Sequence, residues 1–528
     1  MRLFPANVHK WIYFTGLAAI AVGMPLSAFL MSVGQLVIAG NFLLGGSQVE
    51  KFKRFWKNKA AVVAASVILM HALGLLYTSD FKYGMADILV KIPLIVLPIV
   101  LAGSEPISRQ WFNWLLALFV AAVFAGTAVS VGVYYGIVHT KKPVVDIRDI
   151  SIFISHIRFS LMICLSILIV GYYIFQETNW TKKIVGVVLV TWFVIFLTIL
   201  NSLTGIGILL TITFVLVVYT FFTWRETSIR IMKLFMVITI IIGSTMFLKP
   251  YTKTSEPPHK YDYSHLEMKT VLGHPYTHNL LNTETENGNK VWVYVCWDEM
   301  EQAWNARSKV GFNEKNRKGD EVKYTLLRFL TSKGLRKDAG SVQSLSKLEI
   351  MAIENGVANV NYMDKPGISV RLMETFWELD NYKKGHDVNG HSVAMRPEFW
   401  RAAIGIIKKN PILGVGTGDV KNEFAKEYDE INSQLDAGHR LRAHNQYLAI
   451  TVAFGIIGLI WFLITLIYPM IKTGMTFNYF YAVFFIISVL SMFTEDTLES
   501  QAGVTFFAFF SSLFLFGQNN NQEDKTSV

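Results

Sequence analysis

The sequence carries little charge and almost no cysteine. Only 17% of its 528 residues are Asp, Glu, Lys or Arg, whereas 52% are hydrophobic. This composition excludes a soluble globular protein and predicts a polytopic membrane protein. The two cysteines, Cys164 in an apolar run and Cys296 in a polar region, predict neither a disulfide nor a metal site.

Uncharged runs recur that are long enough to cross a bilayer, which takes about 17 to 25 residues per helix. Backbone exposed to lipid must satisfy its own hydrogen bonds, so we expect these runs to be helical. We predict an all-α membrane protein with about twelve transmembrane helices. The first apolar block, Trp11 to Gly46, should form a hairpin broken at Pro25, and further spans are expected near residues 60–77, 85–102, 111–134, 159–175, 184–200, 204–224, 234–248, 445–469, 479–493 and 504–516.

These runs divide the chain into four segments. Residues 1–248 are expected to form helices 1–9, residues 249–443 a large loop domain, residues 444–518 helices 10–12, and residues 519–528 a tail. Within the loop, Val291 to Trp297 alternates like a strand, and residues 299–309, 324–334 and 397–409 have a helical pattern. The loop domain is therefore predicted to be α+β.

Lys and Arg are unevenly distributed among the connections. They are frequent in one alternate set, which includes the cluster from Lys51 to Lys59, and sparse in the other. The positive-inside rule then places both termini and the tail in the cytoplasm and the large loop outside. This topology largely accounts for the net charge of +10, so we do not expect nucleic acid as a partner. The N-terminal apolar block is expected to be a retained anchor.

The polar groups best suited to chemistry lie between Gly390 and Phe454. Arg396 is expected to stand just before the helix over 397–409, and arginine favours bidentate contacts to phosphate. His444, with Asn445 beside it, directly precedes an apolar run. There the positive end of the helix dipole should keep the imidazole neutral, as a general base requires.

A glycine-rich segment, Gly414 to Asp419, lies between these two residues. It follows a helix and lacks the Lys-Ser/Thr pair of a phosphate-binding loop. The simpler interpretation is a tight turn that returns the chain to the membrane. The alternative is an anion-binding concavity formed with the backbone amides of Gly416 and Gly418.

Three further cationic or ionisable side chains stand near or within apolar runs. His156 and Arg158 belong to the segment SHIRFS, where Arg158 either binds an anion or extends to the membrane interface. Lys91 falls inside a predicted span, where a charge costs several kcal/mol unless it has a partner or lines a polar cavity. Glu495, with Asp496 and Glu499, offers possible partners for these cations. Four loop histidines, His259, His265, His274 and His278, lack the spacing of a zinc site, so we expect no metal.

The sequence resembles the O-antigen ligase and polymerase superfamily. The similarity rests on the predicted topology, on an arginine followed by a Trp-containing helix, on PILGVGTGD, and on HNQYL followed by FGIIGL. These motifs lie between Gly390 and Leu459, with weaker support from SHIRFSLM, whereas residues 291–362 lie outside the resemblance. It implies a GT-C-like membrane fold that moves a glycan from undecaprenyl diphosphate to a hydroxyl acceptor, without a cofactor or an obligatory metal.

The resemblance also implies roles for individual residues. Arg396 corresponds to an essential loop arginine and His444 to the histidine that activates the acceptor. Arg158, with His156, corresponds to a diphosphate-binding position, and Lys91 matches only loosely. Leu203 stands where the family stretch often has an arginine, so Arg158 or Lys91 is expected to serve in its place.

We therefore expect an inverting glycosyltransferase of the bacterial inner membrane, of the O-antigen ligase type, with lipid A-core as acceptor and the large loop in the periplasm. A polysaccharide polymerase and a protein O-oligosaccharyltransferase remain alternatives, because they differ only in the acceptor. A transporter of lipid-linked glycan is the alternative from another class. It would favour repeated halves and ionisable residues deep in several spans.

Overall fold

A computed structural model describes residues 5–140, 144, 146–223, 266–365, 367–386 and 388–518, and these are mostly helical. The predicted span at 234–248, His259, His265 and the tail at 519–528 lie outside them. The helices before residue 224 are α1 (Ala6–Leu26), α2 (Ala28–Leu44), α3 (Gln48–Lys57), α4 (Lys59–Ala65), α5 (Val67–Gly74), α6 (Phe81–Lys91), α7 (Pro93–Gly103), α8 (Arg109–Tyr134), α9 (His156–Gln176), α10 (Trp180–Ile199) and α11 (Leu203–Thr223).

The described residues after 265 form ten further helices and one small hairpin. The helices are α12 (Trp297–Asn305), α13 (Val322–Ser332), α14 (Ala339–Gln343), α15 (Lys347–Glu354), α16 (Gly367–Lys383), α17 (Met395–Lys409), α18 (Val420–Glu430), α19 (Gln446–Thr473), α20 (Tyr479–Thr494) and α21 (Gln501–Phe516). The antiparallel strands β1 (Thr285–Glu286) and β2 (Asn289–Lys290) pair Thr285 with Lys290.

Six helical segments of the described residues are long and apolar enough to cross a membrane, or seven if α2 and α3, which meet at 111°, form one broken span. The predicted total of twelve is not reached in the described part of the chain and stays a prediction. Three shorter apolar helices, Leu203–Tyr219, Tyr479–Thr494 and Gln501–Phe516, coincide with other predicted spans. The six segments are Lys59–Tyr77, Phe81–Gly103, Arg109–Tyr134, His156–Gln176, Trp180–Ile199 and Gln446–Thr473.

The N-terminal block forms the hairpin that its break at Pro25 predicts. Helix α1 ends at Leu26, and α2 begins after the single extended residue Ser27, whose hydroxyl accepts the Leu30 amide at 3.2 Å. A Cβ at Gly23 would lie 2.4 Å from the Met31 amide nitrogen, so only glycine permits this approach of the two helices. The hairpin is followed by α3, a polar helix in a segment that the sequence predicts to be a connection.

The described part of the loop has a hydrophobic cluster of its own, around Trp304, Phe329 and Leu330. Its only regular sheet among the described residues is the β1–β2 hairpin, so this part is helical with very little strand. The predicted strand from Val291 to Trp297 is wrong. Its alternate valines are buried as expected, but Tyr294 adopts a φ of +59°, which breaks the extended backbone.

The helix predicted over residues 397–409 begins two residues earlier, at Met395, so Arg396 lies in its first turn and not before it. Its buried side consists of Phe399, Ala402, Ala403 and Ile406, whereas Ile404 is 45% exposed.

The glycine-rich segment packs into a kink of α19. Gly455 interrupts this helix with φ +62° and ψ −163°, a conformation that is essentially restricted to glycine. The kink lets the carbonyls of Val452 and Ala453 accept the amides of Val415 and Gly416 at 3.0 and 2.8 Å. The loop is thereby joined to the membrane helix by its backbone.

Replacing Gly455 by alanine should destabilise the protein by about 1–3 kcal/mol from backbone strain alone. The true loss should be larger, because the new Cβ would lie 2.2 Å from the Ile412 carbonyl. Thermal unfolding of the purified protein in detergent measures the effect. Gly474→Ala is the matched control, because Gly474 has φ +73° but no atom within 4 Å of its Cβ position. Equal losses in the two variants would contradict the docking role of the kink.

Candidate functional site

A cavity of about 560 Å³ lies between the start of α9, the start of α17 and the residues before α19. This volume is typical of small-molecule sites. We call it the arginine cavity, because four arginines line it together with several polar groups. The predicted residues His156, Arg158, Arg396, His444 and Glu495 all contribute to its wall. The four arginines are Arg148, Arg158, Arg371 and Arg396.

Glu495 connects two of the predicted residues. Its carboxylate accepts Arg396 Nη2 at 3.1 Å and lies 3.4 Å from His444 Nδ1. Asp496 Oδ1 is 3.8 Å from the same ring nitrogen. Glu495 is almost fully buried, whereas His444 is partly exposed towards the cavity. This arrangement holds Nδ1 against carboxylates and leaves Nε2 to contact a ligand.

The backbone and the neighbouring helix fix the orientation of His444. The residue has φ +44°, an uncommon conformation for a side chain of this size. The Phe399 ring lies 5.5 Å from the imidazole, and Trp400 Nε1 donates to the Ala443 carbonyl at 3.1 Å. Helix α17 therefore positions both Arg396 and His444.

The two residues after His444 fasten this corner to the connection between α20 and α21. Asn445 caps α19 by accepting the Leu448 amide at 3.0 Å and donates to the Phe493 carbonyl at 3.0 Å. Gln446 accepts the Leu498 amide at 2.7 Å and donates to Glu499 at 3.2 Å. Asn445 thus helps to position the site.

The prediction that the helix dipole keeps the imidazole of His444 neutral is wrong. Burial opposes the charged ring, but the hydrogen bond to Glu495 and the charges of Asp496 and Glu495 outweigh it, so the pKa of His444 is raised. The helix dipole acts at a distance, whereas these carboxylates are in contact. His444 is therefore a stronger base than an ordinary histidine and is protonated to a higher pH.

Arg158 differs from the other arginines of the cavity. Arg148 forms two 2.8 Å contacts with Asp146, and Arg371 lies 3.0 Å from Glu378. Arg158 Nη1 contacts only the Ser155 hydroxyl, at 3.3 Å, and its buried Nε has no partner among the described residues. Another buried atom of the cavity, Asn201 Oδ1, also lacks a partner within the described chain. Arg158 is thus available to an anion.

Lys91 does not line the arginine cavity. It is fully buried, and its ammonium lies 2.7 Å from Asp87 and 2.8 Å from Glu499. Arg442 contacts the same carboxylate oxygen of Glu499, at 3.1 Å. Burial raises the pKa of Glu499, but the charges of Lys91 and Arg442 outweigh this effect and hold that pKa well below its usual range. Lys91 therefore has a structural position, and this position does not support the predicted contact with the glycan donor.

The amides of the glycine-rich segment are already engaged. Gly416 donates to Ala453 at 2.8 Å, and Gly418 donates to the Thr78 hydroxyl at 2.9 Å. Asp419 accepts the amides of Ser79 and Asp80, each at 2.8 Å. Because its donors are satisfied and neither glycine lines the arginine cavity, the segment serves as the tight turn and not as an anion-binding concavity.

Among the described residues, two groups of side chains each place three potential metal-binding atoms within 4.8 Å of one another. They are His274, Cys296 and Glu299, and His444, Glu495 and Asp496. In the first group, Glu299 accepts the Ala339 amide at 3.1 Å and lies 2.9 Å from His274. In the second, the contacts described above engage the same atoms. Hydrogen bonds and ion pairs account for both groups, so we assign neither as metal ligands.

Sequence reasoning missed four charged residues of this region, Arg148, Arg371, Arg442 and Asp87. For Asp87 a signal was present, because it stands four residues before Lys91 and a helix places such a pair on one side. Arg442 stands two residues before His444, within the same motif. Arg148 and Arg371 carry no motif, and only the fold brings them to the cavity.

Comparison with protein families gives one match. Residues 344–463 match the family model described as O-antigen ligase, a family of glycosyltransferase-like enzymes. The match begins before the quoted motifs and includes the last part of the 291–362 segment. No curated protein matches the chain. The matched residues contain Arg371, Arg396 and His444 of the cavity, and they support membership of the O-antigen ligase superfamily.

Proposed function

We propose that the arginine cavity is the active site of an inverting membrane glycosyltransferase. It would move a glycan from undecaprenyl diphosphate to a hydroxyl group outside the cytoplasmic membrane, with lipid A-core as the acceptor. The observation that carries this proposal is the composition of one cavity. Arg158, which has no carboxylate partner in the described chain, shares its wall with a histidine held by a buried carboxylate.

The arginines suit the donor. Guanidinium groups bind phosphate oxygens by paired, charge-assisted hydrogen bonds. When the glycosidic bond breaks, its electron pair passes to the diphosphate, and cations placed beforehand stabilise the charge that develops. Arg158 would contact the diphosphate directly. Arg396, Arg148 and Arg371 add positive charge to the same cavity.

His444 suits the acceptor. Its Nδ1 is held by Glu495, so Nε2 would take the proton of the acceptor hydroxyl as the new bond to the anomeric carbon forms. Attack opposite the leaving diphosphate inverts that carbon. Glu495 would orient the ring and stabilise its charged form, as the acidic member of a catalytic triad does.

Leu203 lines the same cavity, at the position where the family stretch often carries an arginine. Arg371 and Arg148 also lie in this wall, and we propose that they supply the missing charge. This assignment replaces the role suggested for Lys91, whose ammonium is held by Asp87 and Glu499. The bilayer-embedded donor and its acceptor would meet between the start of α9 and the residues before α19.

The first test is transfer of a labelled glycan from undecaprenyl diphosphate by the full chain in proteoliposomes. We expect His444→Ala to lower the rate about 10²–10⁴-fold, the usual contribution of a general base. Arg396→Ala should lower it as well. Transfer should persist when a chelator is present. The control variant is Arg440→Gln, which removes the charge of a partly exposed arginine outside the cavity.

Lipid A-core and free lipid-linked glycan are offered separately in this assay. Transfer to lipid A-core supports a ligase, whereas extension of the lipid-linked glycan identifies a polymerase. Movement of intact donor across the membrane without transfer would overturn the enzyme proposal and favour a transporter.

Arg158→Gln and Lys91→Met should fail in different ways. Loss of a charged hydrogen bond at Arg158 costs about 1.5–3 kcal/mol, so the KM for the donor should rise roughly tenfold to a hundredfold without loss of stability. Lys91→Met leaves the carboxylate of Asp87 without its cation and Glu499 with Arg442 alone, and should destabilise the fold by about 3–5 kcal/mol. Donor titrations and thermal unfolding separate the effects. A stable Lys91→Met protein with a raised donor KM would contradict the structural role.

The pH profile tests His444 through Glu495. The base acts when neutral, so kcat/KM should rise with pH through the raised pKa of His444. Glu495→Gln removes the charge and the strongest acceptor that raise this pKa, and the acidic limb of the profile should move to lower pH. Glu430→Gln, an exposed change outside the cavity, should leave the profile in place. An unmoved limb in Glu495→Gln would show that another group titrates.

A further inference from the structure

A second cavity, of about 470 Å³, lies at the opposite end of the helices. Helix α21 begins two residues after Glu499 and ends at Phe516. The next residue, Gly517, accepts the amide of Ile107, which lines this second cavity. The 16 residues of α21 rise about 24 Å in total, close to the thickness of the hydrocarbon core. We call this space the opposite-end cavity.

Helix α3 borders the opposite-end cavity and is built to lie along a membrane surface. It leaves α2 at 111°, so the chain turns away from the direction of the span. Phe55 is buried against the protein, whereas Val49, Phe52 and Trp56 form an exposed stripe at helical spacing, 68%, 37% and 65% exposed. An amphipathic helix with such an apolar stripe sits at the boundary of headgroups and acyl chains.

The same helix brings positive charge to the opposite-end cavity. Lys51 and Arg54 line it together with Lys10 from α1, and these cations outnumber its carboxylates, Glu50 and Glu105. The Lys10–Glu105 contact is long, at 3.8 Å, and both side chains are largely exposed. Arg54 is exposed and forms no ion pair within the described residues. A polar cavity with an excess of positive charge, at the depth of the lipid headgroups, suits a phosphate group.

We propose that the opposite-end cavity binds the phosphate headgroup of an anionic phospholipid in the leaflet on which α3 lies. Basic pockets between membrane helices recognise such headgroups. A lipid fits better than free phosphate, because exposed Leu43, Leu44 and Trp56 stand beside the cavity where acyl chains would continue. The site is separate from the arginine cavity and does not depend on the proposed transfer reaction.

The test is lipid binding by the purified full chain in detergent, counted by native mass spectrometry. Phosphatidylglycerol, phosphatidylcholine and inorganic phosphate are titrated separately. We expect a saturable phosphatidylglycerol adduct that the other two do not reproduce. Lys10→Gln with Arg54→Gln should weaken it at least about fivefold per charge, given roughly 1 kcal/mol for each cation at a lipid surface.

The matched control is Lys53→Gln with Lys57→Gln, which removes the same charge from α3 at exposed positions outside the cavity. The adduct should survive this change. Equal weakening in both double variants would show diffuse attraction to the basic helix and overturn the site. Equal binding of phosphatidylcholine, or competition by inorganic phosphate at the same concentration, would overturn the anionic-lipid assignment. All four substituted side chains are exposed or face the cavity, so folding should be preserved.

Discussion

Three buried carboxylates between α20 and α21 set the constraint on which the site depends. Glu495 and Asp496 are buried and the Glu499 side chain is only 8% exposed, so their charge is stable only beside positive partners. Those partners come from separate parts of the chain: Lys91 from a membrane helix, Arg396 from the loop, and Arg442 and His444 from the residues before α19. The loop cannot leave its place without stranding these charges, so membrane packing and site assembly are coupled.

The same constraint separates cations that hold the structure from those that can serve a ligand. The ammonium group of Lys91 is paired with Asp87 and Glu499. Arg396 is fixed by Glu495 yet still reaches the cavity, which gives it a defined direction before any ligand arrives. Arg158 alone among the cavity arginines in the described chain has no carboxylate. A site arranged in this way needs little reorganisation when negative charge enters it.

The sequence was a good guide to helices and a poorer guide to their ends. Long apolar runs predicted most of the described spans, because bilayer thickness leaves few other structures. The start of α17 and the turn at Tyr294 were missed, since both depend on local backbone strain and tertiary packing. For the site, motifs identified Arg396 and His444, but no local pattern could place Arg148, Arg371 or Glu499. Their roles arise from long-range contacts.

The family match covers only part of the contacts that hold the site together. Residues 344–463 include Arg396, the glycine-rich turn and His444. They do not include Glu495, the carboxylate that holds both side chains. Glu495 and Glu499 lie after the match, whereas Asp87 and the free arginine, Arg158, lie before it. The turn also has partners before the match, because Gly418 donates to Thr78 and Asp419 accepts the amides of Ser79 and Asp80. The matched segment therefore carries recognisable residues, while their charge balance and the proposed anion contact depend on residues outside it. The unit of function is consequently the full bundle with its loop.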